Sequence, residues 1–171
     1  TEQHIQLITN ETKSSEGLSY SKIGIHHQMI TAFNSLKECA VTAGIELKIA
    51  SGYRSFERQL QIWNNKFSGI SAIKDLNGNT VDINSLSAEE LIKSILLYSA
   101  LPGASRHHWG CDIDVYAPNL LSANEQLKLE PWEYQQSGPM EKLSTWLSQH
   151  ALEFGFYFIF VIFFKQKIIV R

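Results

Sequence analysis

Cysteine is scarce, charge is thin, and no apolar run is long enough to cross a bilayer. Two cysteines, Cys39 and Cys111, make at most one bridge, so no disulfide framework supports the fold and they say little about redox compartment. Fifteen Lys and Arg stand against seventeen Asp and Glu, a net charge of −2. That leaves no basic excess for nucleic acid and no acidic block to act as a solvating tail. The most apolar run, Phe156 to Phe164, ends at Lys165-Gln166-Lys167, well short of the roughly 20 residues a membrane helix needs. The chain opens Thr1-Glu2-Gln3-His4, without a basic-then-apolar signal. Collagen, coiled-coil array and repeat solenoid are excluded with the disulfide scaffold. What is present suits one ordinary domain: 171 residues, 44% hydrophobic and 11% aromatic, enough to bury a core.

Residues 1–24 read as a polar arm rich in Ser and Thr. From Ile25 the apolar positions Met29, Phe33, Leu36, Ala40 and Ala43 recur at helical spacing, and Gly44 supplies a stop. Residues 45–50 alternate with period two and predict a strand that runs into Ser51-Gly52-Tyr53-Arg54-Ser55. Ser55 caps a second helix whose inner face is expected to carry Leu60, Trp63 and Phe67. Trp63, Phe33, Leu47 and Ile49 are expected in one core. Residues 68–85 read as loop. Ser87-Ala88-Glu89-Glu90 is a capping box that opens a third helix through Leu91, Ile95 and Leu96. A strand over 111–115 and a last helix using Met140, Leu143, Trp146 and Leu147 follow, with an apolar, strand-like tail after Gly155. Helices and short strands mix without strict alternation. The fold class is therefore α+β, a single domain with a small antiparallel sheet flanked by helices.

The densest polar cluster is Ser105-Arg106-His107-His108-Trp109-Gly110-Cys111-Asp112-Ile113-Asp114. A His and an Asp across a glycine turn that feeds a strand can converge on one cation. Imidazole nitrogen and carboxylate oxygen suit zinc. On the strand, Asp112 and Asp114 share a face opposite Ile113 and Val115. The plain alternative has His108 and Trp109 as packing residues and the acids as turn caps.

Ser105-x-His107-x-x-Gly110-x-Asp112-x-Asp114, preceded by Ser51-Gly52-Tyr53-Arg54-Ser55 with Gln59 beyond it, resembles the VanY-like D-alanyl-D-alanine carboxypeptidases, zinc peptidases related to the VanX dipeptidases. The resemblance runs from Ile25 to about Phe158. It implies a hedgehog/D,D-peptidase-like fold and a zinc ion held by His107 and Asp114. Arg54 would face the scissile carbonyl, with Ser105 and Gln59 holding substrate. The implied substrate is a peptidoglycan stem peptide ending in D-Ala-D-Ala, and the implied setting a bacterial envelope or periplasm, the protein acting as a monomer. The physics agrees: a zinc with an open position polarises a peptide carbonyl, and a guanidinium suits the charge that develops.

The family pattern closes with Glu-x-Trp-His, whose His is the third ligand and whose Glu is the general base. No His or Glu follows Glu153 within this sequence. The divisions are accordingly residues 1–24 as arm, 25–158 as the carboxypeptidase-like domain and 159–171 as an atypical apolar tail. Its Phe, Ile and Lys have A/T-rich codons, which fits a frameshift or truncation better than a genuine, aggregation-prone edge strand. Glu130-Pro131-Trp132-Glu133 imitates the missing motif, so Glu133 is a stand-in ligand candidate, although it precedes the last helix. His150 is the other, with a surface position at the helix end as its plainer role. His26 and His27 read as surface positions beginning a helix. The expected function is a zinc-dependent D,D-carboxypeptidase with its chemistry impaired; the alternative is a non-catalytic domain that binds wall peptides.

Overall fold

The computed structural model describes residues 2–14, 17–76, 78–123, 125–159 and 167–170. β1 (Ile5–Ser14) and β2 (Gly17–His26) form an antiparallel hairpin in unbroken register from Ile5↔His26 to Ser14↔Gly17. The stretch that reads as an arm is therefore built structure. Ile23 and Ile25, two apart, point to one face of β2 and pack on the main core, as does Ile8 opposite Ile23. Ser and Thr between these few isoleucines mask the alternation.

Ile25 thus belongs to β2 and does not open the first helix. A 3-10 turn at His27–Met29 leads into α1 (Ile30–Thr42), which buries Phe33, Leu36 and Ala40 along the expected stripe. Ile45 and Leu47 reach the core before β3 (Lys48–Ser51) begins. α2 (Phe56–Phe67) starts at the expected cap, with Arg58 N donating to Ser55 Oγ at 3.2 Å.

The inner face of α2 differs from expectation. Gln59 is completely buried, whereas Leu60 and Phe67 are 38% and 45% exposed. The covered side of the helix meets polar backbone and Arg54 rather than the apolar core, so a polar residue occupies it. Trp63 packs on a separate small cluster of Ile73, Leu91 and Ile95, while Phe33, Leu47 and Ile49 share the main core. α3 (Ala88–Leu96) carries the expected capping box: Ser87 N donates to Glu90 Oε2 at 2.8 Å, and Glu90 N to Ser87 Oγ at 3.4 Å.

β4 (Asp112–Tyr116) follows a 3-10 turn at Arg106–Trp109, and α4 (Glu141–His150) buries Leu143 and Leu147. β5 (Phe156–Ile159) and β6 (Lys167–Val170) complete an antiparallel sheet of order β3-β4-β6-β5. β6 has a partner on each side, and β5 takes the edge. The exposed apolar edge that counted against a genuine strand in the tail does not form at residues 167–170. Residues 160–166 of that tail lie outside the described residues. The outcome is the expected α+β domain with a small antiparallel sheet. Among the described residues no helix is long and apolar enough to cross a membrane.

Candidate active site

The site forms where two loops zip together. The loop after β3 supplies Gly52, Tyr53 and Arg54; the 3-10 turn before β4 supplies His107 and His108. Arg54 N donates to the His107 carbonyl at 3.0 Å, His107 Nδ1 lies 2.8 Å from the Gly52 carbonyl, and His108 Nδ1 lies 2.6 Å from the Arg54 carbonyl. Carbonyl oxygens only accept, so both Nδ1 atoms carry the proton. Two glycines permit the approach. A Cβ on Gly52 would meet the Gly24 carbonyl oxygen at 2.3 Å; Gly110, at φ +67°, would set one 2.9 Å from the His26 nitrogen.

His107 turns its Nε2 toward Asp114 Oδ2, 3.6 Å away. Both side chains are almost wholly buried, 2% and 1% exposed. Asp114 Oδ1 is buried with no hydrogen-bond partner among the described residues. Two ligands of a tetrahedral zinc, each about 2.0–2.2 Å from the metal, stand about 3.4 Å apart. The pair therefore fits a divalent cation, and the Gly52 carbonyl supplies the outer hydrogen bond that orients a ligating imidazole. Among the described residues no group of three or more His, Cys, Asp or Glu is placed to hold a metal.

Neither stand-in reaches the pair. The Glu133 carboxylate is spent on its own loop, accepting from Lys128 N at 2.9 Å and Glu130 N at 2.6 Å in a capping box. His150 sits on α4 against the Trp146 ring, centroids 4.9 Å apart, with Glu153 at 3.9 Å. Asp112 shares the buried face with Asp114, and Arg106 Nε lies 3.5 Å from its Oδ2.

Arg54 is held from two sides, donating to Gln59 Oε1 at 2.9 Å and to Ser51 Oγ at 3.0 Å. Burial lowers its pKa from the ordinary value, Asp114 opposes that shift, and Arg58 adds to it. Gln59 also donates through Nε2 to the Ala100 carbonyl at 2.6 Å. Both ends of its amide are engaged within the protein, which makes it a holder of Arg54. Ser105 is buried just before the 3-10 turn, where its carbonyl accepts from His108 N at 3.1 Å.

Sequence reasoning missed His108. Its Nε2 accepts from Gly103 N at 3.1 Å while Nδ1 holds Arg54, so it is a brace between the loops rather than a packing residue. His27 is exposed and opens the 3-10 turn, as expected, whereas His26 is half-buried. His26 ends β2, accepts from Gln28 N at 3.3 Å and stacks between His4 and His27. Tyr53 is a further addition: its hydroxyl donates to Glu2 Oε1 at 2.5 Å, and that bond pushes its pKa up to about 12.

On a small α+β domain, two buried electron-pair donors thus stand beside a clamped guanidinium. The particular family follows from comparison. The sequence model of VanY, D-alanyl-D-alanine carboxypeptidase, matches residues 22–169, and the chain belongs to that family. Its fold is similar to VanYB in complex with D-alanine-D-alanine, with a TM-score of 0.56 and 20% identity over 89% of this chain and 66% of that one. It is also similar to the LD-carboxypeptidase LdcB, with a TM-score of 0.60 and 21% identity over 96% and 67%. A VanY variant from the VanB-type resistance cassette, in complex with Zn(II), aligns at a TM-score of 0.55 and 20% identity, covering 91% and 68%. Two uncharacterized proteins of Haemophilus influenzae strain Rd match at 43% identity over 56 residues and 40% over 74. Those matches span 33% and 43% of this chain, and 43% and 51% of the relatives' own lengths.

Proposed function

We propose that this domain engages peptidoglycan stem peptides ending in D-Ala-D-Ala at a zinc site held by His107 and Asp114, in a bacterial envelope. The observation that carries the reading is the buried His107–Asp114 pair, 3.6 Å apart, beside the clamped Arg54. Family membership agrees with it. When bound, zinc would supply a polarised carbonyl and a more acidic water. The protein's own part is positional. Gly52 orients the His107 ring, and Gln59 and Ser51 hold Arg54 where negative charge would develop on the peptide oxygen. Ser105, buried two residues before His107, is assigned to the substrate side by the family resemblance.

As a 171-residue polypeptide the domain is expected to turn over little. General-base assistance contributes about 10²–10⁴-fold, and neither the family's Glu nor its third-ligand His stands in this sequence. The second reading, a domain that binds wall peptides without cleaving them, is favoured by the lack of a third ligand among the described residues. The test is release of D-alanine from a D-Ala-D-Ala-terminated peptide with zinc added. Little release, with measurable peptide binding that His107→Ala weakens, is expected. Robust, chelator-sensitive turnover abolished by His107→Ala would overturn the impaired-enzyme reading, and no binding in any form would overturn both.

A further inference from the structure

A groove of about 510 Å³ between β2 and α2 is lined by Gly52 and Arg54, both bonded to His107, and its charged lining is all of one sign: Lys22, Arg54 and Arg58. Arg54 is committed to the site. Arg58 and Lys22 are exposed, and among the described residues neither forms an ion pair with a carboxylate. Gln61 Oε1 holds one corner of the Arg58 guanidinium at 2.5 Å and leaves its other donors directed elsewhere.

The nearby acids do not neutralise this groove. Asp114 and Asp112 act on Arg54 from the His107 side. Glu57, on α2, is fully exposed and acts on His108 and on Tyr53, a groove residue, but among the described residues it pairs with neither Lys22 nor Arg58. Glu2 is bonded to the Tyr53 hydroxyl at the rim. Two guanidiniums that repel each other, facing a lysine across a groove without a lining carboxylate, form a net positive field that an anion would relieve.

The position of the groove selects the anion. It runs from Arg54 past Arg58 to Ile62, and each turn of α2 adds about 5.4 Å. That length takes two or three extended residues at about 3.3 Å each. A carboxypeptidase leaves one residue on the carboxyl side of the bond it cuts, so a groove this long must hold the amino side. We propose that Arg58 and Lys22 form an acid-recognising subsite that selects peptides bearing a side-chain carboxylate two or three residues to the amino side of the scissile bond. This deepens the proposed function and rests on its placement of the bond at His107 and Asp114.

The test is calorimetric binding of acetyl-Glu-Ala-D-Ala-D-Ala and its neutral isostere acetyl-Gln-Ala-D-Ala-D-Ala, with zinc present and at low salt. The protein is expected to favour the acidic peptide by about fivefold or more, with the difference shrinking as salt screens exposed charges. The Lys22→Gln/Arg58→Gln double variant should bind both peptides as the unaltered protein binds the neutral one, which also reports an intact fold. Equal affinities in the unaltered protein, or a preference that survives the double substitution, would overturn the subsite. If D-Ala-D-Ala peptides bind but Glu and Gln are not told apart, the subsite fails and the proposed function stands. A short acetyl-Glu-Ala-amide probe separates the converse. Binding of that probe over its Gln counterpart, with D-Ala-D-Ala adding nothing, supports the anion subsite while overturning the D-Ala-D-Ala reading.

Discussion

The Nδ1 of His108 donates to the carbonyl oxygen of Arg54 at 2.6 Å, while the amide of Arg54 donates to the carbonyl oxygen of His107 at 3.0 Å. The two loops that bear the site therefore hold each other through backbone groups, with a ring nitrogen completing the joint. His108 sets where Arg54 stands relative to His107 without touching the pair itself.

His108→Ala should therefore loosen the site as well as the fold. It removes the bond to the half-buried Arg54 carbonyl, while the exposed Gly103 amide can turn to water, and a lost hydrogen bond of this kind costs about 0.5–1.5 kcal/mol. Urea denaturation is expected to show a loss in that range, together with weaker peptide binding. An unchanged midpoint and unchanged binding would show that the brace carries nothing.

Zinc should bind weakly and through two residues. His107→Ala and Asp114→Ala should each abolish the calorimetric signal, and dialysis against a chelator should strip the metal from the unaltered protein, because each missing ligand forfeits affinity. Stoichiometric zinc that survives the chelator would reveal a third ligand.

Core substitutions should separate into two groups. Phe33 is 4% exposed and meets Phe156 edge-on at a centroid distance of 6.3 Å, so Phe33→Ala should cost about 3–5 kcal/mol. Trp63 belongs to the cluster of Ile73, Leu91 and Ile95. Trp63→Ala combined with Phe33→Ala should therefore be additive within about 0.5 kcal/mol in a double-mutant cycle. A larger coupling would join the two clusters.

Acid should release the loop around Trp132. Lys74 donates to Glu130 and holds its carboxyl below the usual carboxylate range, helped by the indole of Trp132 at 2.8 Å. A depressed folded-state pKa stabilises the protein above the unfolded value, about 4.3 for Glu, and that contribution is lost as pH falls through the lower folded value. Trp132 is 48% exposed, so its fluorescence follows the event. The change is expected below pH ~4 in the unaltered protein, and Lys74→Met should move it upward. A titration that Lys74→Met leaves in place would remove Glu130 as its source.

His107, Asp114 and Arg54 were legible because their chemistry is packed into two short motifs, each readable within ten residues. The helix caps at Ser55 and Ser87 were legible for the same reason: a cap involves only residues three apart. The complete burial of Gln59 was not legible because its partners are Arg54 and the Ala100 carbonyl, the latter 41 residues away, and amphipathic spacing says nothing about a helix face that meets backbone. Trp63 was placed on the covered side of α2 correctly but against the wrong neighbours, since periodicity gives a direction and not a partner. The β1–β2 hairpin escaped notice because its strands carry few apolar residues and pair chiefly with each other.

The place of β6 between β4 and β5 has a consequence for how the domain is assembled in time. Asp112 and Asp114 stand on a strand whose second neighbour is residues 167–169, more than fifty positions further along the chain. Until those residues emerge from the ribosome, β4 has a ladder only toward β3, and its far edge must wait or pair elsewhere. Closing so distant a contact is slow, because chain entropy is lost before the pairing rewards it. The strand bearing the site's buried carboxylates is thus among the last parts of the sheet to be secured during synthesis.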